Sequence, residues 1–388
     1  MSILTLLYLF IIPLLVVLAA KRWPIIEKIS PMVILYIIGL TIGNIGIVGE
    51  SAKAVCTNVS NVVVLLSIPL MLLGCDFSNW STGTVLKVFL VGLFSVLAVT
   101  VAGFFMFRSQ AVEAGLDTAD FARVSAAMTG IYTGGIPNFA PVSKAVDLPQ
   151  HLFLLVSGYD LVVTSLYLIF IVVLGRPLVR WLFHKKVDNK TIQDIQDIQD
   201  ETVTTTTDNK SFWQKVGNRA IGIGVAVLLV AAAYELSLLL PIENNTAVII
   251  ITLTTLSLLL SFWKPIKKLE GTFDVGLYFV YVFCLAVATM VNVHDLEFSK
   301  YLFILYYIAF AVFGSLVLQI LFAKIFKIDG DMTLAASISL INSPPFVPMV
   351  AAVLRNKDVI LPGIAIGLLG YAVGNYLGIG IFMLLSAF

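Results

Sequence analysis

Runs of roughly 18 to 25 apolar residues follow one another along almost the whole chain, parted by charges, prolines and glycines. A helix of about that length crosses ~30 Å of hydrocarbon at ~1.5 Å per residue. Backbone amides and carbonyls find no water there, so a crossing segment must satisfy them internally, as a helix does. Composition agrees. Of 388 residues, 59% are hydrophobic and 12% charged, and the mean hydropathy is +1.00, too little polar surface for a chain covered by water. The sequence therefore predicts an all-α polytopic membrane protein with the lipid bilayer as its solvent.

Spans are expected near residues 3–20, 31–48, 53–74, 84–107, 120–146 and 151–175, then near 217–240, 245–262, 272–292, 300–325, 332–354 and 360–386. This amounts to about 12 transmembrane helices, within a range of about 11 to 13. Lys21 and Arg22 directly follow the first run and no basic region precedes it, which marks a retained helix and not a secretory signal.

Residues 176–214 are a different polymer. Arg176, Arg180, His184, Lys185 and Lys186 open it, Ile-Gln-Asp repeats over 192–200, and threonines fill 204–207. It reads as a polar linker between a first transmembrane repeat, 1–175, and a second, 215–388. Its basic start places it on the cytoplasmic side of the cell (inner) membrane. A simple alternating count puts Lys264, Lys267, Lys268, Lys324 and Lys327 on that side as well, but Lys21 and Arg22 on the other.

A net charge of +1 provides no field for nucleic acid, so none is expected as a partner. Cys56, Cys75 and Cys284 are scattered through apolar stretches and read as packing residues. His151, His184 and His294 are equally dispersed, so no metal site and no cofactor is expected. Paired catalytic aspartates, a His-Glu-x-x-His motif and a serine near a histidine are all missing from the sequence, which speaks against an intramembrane enzyme.

Two spans are unlike ordinary membrane helices, and they hold the fifth place in each half. One carries Thr133-Gly134-Gly135-Ile136-Pro137-Asn138-Phe139-Ala140-Pro141, the other Ile341-Asn342-Ser343-Pro344-Pro345-Phe346-Val347-Pro348. Proline removes a backbone donor and glycine relaxes the chain, so each helix should be broken at membrane depth. Irregular backbone is tolerated there only when buried in protein or lining a polar cavity. A kink between packed helices would explain one such segment, whereas a matched pair points to a transporter's central site.

The Gly134-Gly135-Ile136-Pro137-Asn138 element and the run from Pro362 to Gly378, which includes Gly363, Gly367, Gly370, Tyr371, Gly374 and Asn375, resemble the membrane family called domain of unknown function 819. That family looks related to a broad group of cation/proton antiporters, bile-acid and bicarbonate sodium symporters and auxin carriers. The resemblance implies two inverted repeats, a scaffold, a core in which two broken helices cross, an elevator-like or rocking motion, and a homodimer. Broken spans in places five and eleven lie six apart and so share a direction, whereas inversion requires an odd separation. Either inversion is absent or a span is miscounted, within 217–262 or near 176–186.

Asp160 follows Gly158-Tyr159 inside the sixth span, with Thr164 and Ser165 behind it. A carboxylate at that depth costs about 3 kcal/mol on insertion scales, so it is a candidate site for sodium or a proton, with an interfacial or capping aspartate as the plain alternative. The resemblance places it as ion-binding carboxylates are placed in the related antiporters. Thr133, Gly134, Gly135, Asn138, Asn342 and Ser343 lie in the breaks, where turn formation is an equal explanation for the asparagines. Asn375 is the candidate amide opposite Asp160, with helix–helix hydrogen bonding as the alternative. Half-helix amino ends suit an anion, while free carbonyls and Asp160 suit a cation. The expectation is cation-coupled secondary transport of a small solute, most simply an anion. A cation/proton antiporter is the runner-up, and a channel or a non-transporting sensor is the alternative of another class.

Overall fold

The structure, a computed structural model, describes residues 2–23, 31–45, 48–75, 83–183, 212–238, 245–263, 265–266, 269, 271–292 and 297–388. The linker motifs at 192–200 and 204–207, with His184, Lys185, Lys186, Lys264, Lys267, Lys268 and His294, lie outside the described residues.

Among the described residues there are helices and no strands. They are α1 Ser2–Arg22, α2 Pro31–Asn44, α3 Glu50–Leu73, α4 Gly83–Glu113, α5 Thr118–Tyr132, α6 Ile136–Ala145 and α7 Gln150–Phe183. They continue as α8 Phe212–Leu238, α9 Asn245–Ser261, α10 Thr272–Met290, α11 Leu302–Ile325, α12 Gly330–Ile341, α13 Val347–Leu354 and α14 Ile360–Leu385. Eight of these, α1, α3, α4, α7, α8, α10, α11 and α14, are long and apolar enough to cross a membrane, while α2, α9, α12 and the stretch around α13 are shorter apolar helices. Ile3, Leu4, Leu228, Ile325 and Leu361 are 68 to 74% exposed. A surface of bare aliphatic side chains is what lipid, and not water, solvates.

The chain forms two compact units, and each half of the sequence contributes to both. The first unit takes Met1–Cys75, Ala140–Gly158 and Val216–Leu302; the second takes Asp76–Phe139, Tyr159–Lys215 and Phe303–Phe388. In the first, α10 packs against α2 and α3 through small residues. A Cβ added to Gly39 would lie 2.6 Å from Ala288 Cβ, and one added to Gly276 would lie 2.9 Å from the Met71 nitrogen. Close backbone approach of this kind replaces the hydrophobic drive that lipid cannot supply. Cys56, Cys75 and Cys284 are buried and unlinked, matching a packing role.

In the second unit, α4 and α11 run antiparallel. Lys87 Nζ donates to the Phe326 carbonyl (2.6 Å) near one end, and Tyr307 donates to the Thr100 carbonyl (2.8 Å) toward the other. α7 continues to Phe183, so residues 176–183, expected in the linker, form its last two turns. Packing explains the extension: a Cβ on Gly330 would lie 2.7 Å from Val179 Cγ1 and 2.9 Å from Phe183 Cγ.

Candidate functional site

All eight residues singled out from the sequence fall in the second unit. α5 ends at Tyr132 because Pro137 has no N–H to offer the Thr133 carbonyl, and Gly135 takes φ +94°, a conformation open to glycine. The freed Thr133 carbonyl lies against Gly370 of α14, where no side chain would fit. Asn138 Nδ2 donates to the Gly370 carbonyl (3.0 Å), and Thr133 Oγ1 donates to the Thr129 carbonyl (2.8 Å). The Asn138 side chain therefore holds the first break against α14, while that of Thr133 closes the last turn of α5.

The eleventh expected span is not one interrupted helix but two helices folded back on each other. Asn356, just past α13, donates through Nδ2 to Asp331 Oδ2 at the start of α12 (2.8 Å). A helix running straight on would put those residues about 37 Å apart. Asn342 caps α12, Ser343 turns the chain with φ +104° and ψ +155°, and Pro344–Phe346 form one 3-10 turn before α13. That backbone region is essentially reserved for glycine, so a serine there stores about 1–3 kcal/mol of strain.

α14 is the track on which both breaks sit. From its start, Gly363 meets Ala335 and Val347, Gly367 meets Ser339 and Pro344, Gly370 meets Thr133, and Gly374 meets Asn138 and Thr133. Arg123 of α5 lies over the Phe382 ring farther along, 5.9 Å from its centroid. α12 therefore runs with α14 and α5 runs against it, so the two breaks approach from opposite ends of the helix. Their tips touch: the Gly135 backbone abuts the Ser343 side chain.

α7 carries Asp160 to this meeting point, about 15 Å from its first residue. The buried Tyr132 hydroxyl, the last side chain before the first break, donates to Asp160 Oδ1 (2.7 Å). Thr164 Oγ1 donates to the Asp160 carbonyl (2.7 Å), and the Thr164 carbonyl accepts from Asn342 Nδ2 (3.1 Å). One turn of α7 thus links the carboxylate to both breaks. Asn342 Oδ1 and Ser339 Oγ are buried acceptors with no partner among the described residues. Asn375 is buried beside Gly374. Glu235 is exposed near the end of α8, in the first unit.

Sequence reasoning missed Tyr132 and Ser339, and took Gly363, Gly367, Gly370 and Gly374 as a mark of family without reading them as a packing ladder. The ladder's 4-3-4 spacing, which puts four glycines on one helix face, was the available signal. Tyr132 offered only its place next to a break.

These features define a multi-pass α-helical membrane protein in which two non-helical breaks converge beside an intramembrane carboxylate. The family model described as Protein of unknown function (DUF819) matches residues 8–388, and the chain belongs to that family. It is 20% identical over 377 residues to the uncharacterized membrane protein YjcL of Bacillus subtilis (strain 168), over 92% of this chain and 90% of that one.

Proposed function

We propose that this protein is a secondary active transporter that couples sodium or a proton, held at Asp160, to movement of a small solute, most simply an anion. The observation that carries the reading is the contact of Gly135 with Ser343, two breaks from distant parts of the chain meeting one α7 turn from a carboxylate. The amino ends of α6 and α13 start at those breaks and bring partial positive charge suited to an anion. Asp160 and the unpartnered Asn342 Oδ1 provide oxygens suited to a cation.

The same reading gives the two repeats opposite directions. α5 reaches its break from the far end of α14, and α7 leaves the level of that break toward the base of the α12–α13 hairpin. For α7 to run this way, α6 has to lead back, making the first break re-entrant too. Each half then has five crossings and one re-entrant hairpin, an odd number that inverts the second half. On this reading the miscount lies in the broken spans and not in 217–262 or near 176–186.

The test is thermal stability of the purified protein across sodium, pH and small organic anions, for wild type and Asp160→Asn, with solute flux in vesicles. Sodium or pH should shift wild-type melting, with about 2.7 kcal/mol of stabilisation at one hundred times the dissociation constant, and the variant should stay folded but lose the response. Identical responses in both proteins would remove Asp160 from the coupling role. Cation-for-proton exchange without any co-transported solute would replace the symport reading with antiport.

A further inference from the structure

The base of the α12–α13 hairpin carries a charge pattern that transport at Asp160 does not use. Arg176 and Arg180 stand on successive turns of α7, on the stretch whose Gly175 and Val179 pack on Leu334 and Gly330. Arg355 ends the hairpin, next to the Asn356 that bonds Asp331. Arg180, Arg355 and Asp331 are all near enough to act electrostatically on Arg176, and the Asn356–Asp331 bond and the Gly330–Val179 contact bring their three segments together. Asp331 is 6% exposed and already accepts from Asn356. Asp329 is engaged in capping α12, accepting from the Asp331 and Met332 amides. None of the three guanidinium groups has a hydrogen bond or ion pair among the described residues.

Arg355 holds φ +55° and ψ +45°, a position that glycine or asparagine fills without strain. Trp181, beside Arg180, is 74% exposed, the placement of an aromatic ring at a lipid head-group boundary. Arg176, Arg180 and Arg355, with Lys327 and Lys357 at the same end of the hairpin, outnumber the carboxylates Asp329, Asp331 and Asp358, and this excess favours an anion. Planar guanidinium forks match the oxygens of a phosphate.

We propose that Arg176, Arg180 and Arg355 form a binding site for the phosphate of an anionic lipid head group, which ties α7 to the base of the second hairpin. The site stands or falls independently of the coupling role of Asp160. The experiment compares melting of the full chain in nanodiscs of phosphatidylcholine alone and with phosphatidylglycerol, and in phosphatidylcholine with added inorganic phosphate. Wild type should gain stability from phosphatidylglycerol. Arg176→Gln/Arg355→Gln should lose that gain while melting like wild type in phosphatidylcholine, and Arg355→Lys should keep part of it. A gain from inorganic phosphate that the same substitutions abolish would support the site and assign it to a soluble phosphate compound. Equal gains in wild type and the double variant, or no gain from either anion, would overturn the proposal.

Discussion

Asp160 lies about 15 Å from the start of α7, a depth at which an aspartate needs company. Its company is the Tyr132 hydroxyl at 2.7 Å, donated from a side chain only 1% exposed. A hydrogen bond to a charged group is worth about 1.5–3 kcal/mol, so Tyr132→Phe should lower stability by about that much when Asp160 carries its charge. In the Asp160→Asn background the same substitution should cost about half as much or less. A double-mutant cycle of melting curves checks this, and simple additivity would show that the two side chains do not act as a pair. The carboxylate itself was legible, since aspartate is conspicuous among apolar neighbours. Tyr132 was not, because a tyrosine inside an apolar run reads as packing until the chain is folded and α7 is brought beside it. The candidate breaks were readable for a similar reason: proline and glycine act through the local backbone, and their effect survives without tertiary context. Asn138 shows where local reading stops, because its amide is spent on a carbonyl of α14 more than two hundred positions away.

At the scale of elements, helix positions followed from apolar length, but folding-back did not. The run from Gly330 to Leu354 has the length and hydropathy of one span, and no residue in it announces that Asn356 returns to Asp331. Long-range partners decide between a kinked helix and a hairpin, and α14 is the element that makes the hairpin fit. Its four glycines remove the side chains that would keep both breaks at a distance. A Cβ on Gly370 would press into the Thr133 carbonyl, whereas one on Gly380 of the same helix meets nothing within 4 Å. Gly370→Ala should therefore destabilise by about 1–3 kcal/mol through overpacking. Gly380→Ala should stabilise by about 0.5–1 kcal/mol, as alanine does inside a helix. Melting temperatures of opposite sign are the expected result, and a neutral Gly370→Ala would mean that the break does not rest on α14.

For the whole molecule, the number of crossings decides which face each loop occupies. Twelve crossings leave Lys21 and Arg22 on the face opposite the linker, against the tendency of lysine and arginine to collect on the cytoplasmic side. Ten crossings with two re-entrant hairpins bring them to the linker face. By sequence position, only Lys53, Arg108, Arg123, Lys144 and Lys300 of the 24 lysines and arginines then fall toward the other face. The proposed ten-crossing topology is thus consistent with the charge distribution as well as with the α12–α13 hairpin. The two schemes differ at exposed residues that flank the breaks. Glu113 and Asp147 bracket α5 and α6, and Lys327 and Lys357 bracket α12 and α13. Single cysteines at Glu113 and Asp147 should react with a membrane-impermeant maleimide from one face, and those at Lys327 and Lys357 from the other. Cys56, Cys75 and Cys284 are buried and should remain silent, so the native chain is a usable background. If the members of either pair label from opposite faces, that segment crosses the membrane, and the inverted arrangement fails with it.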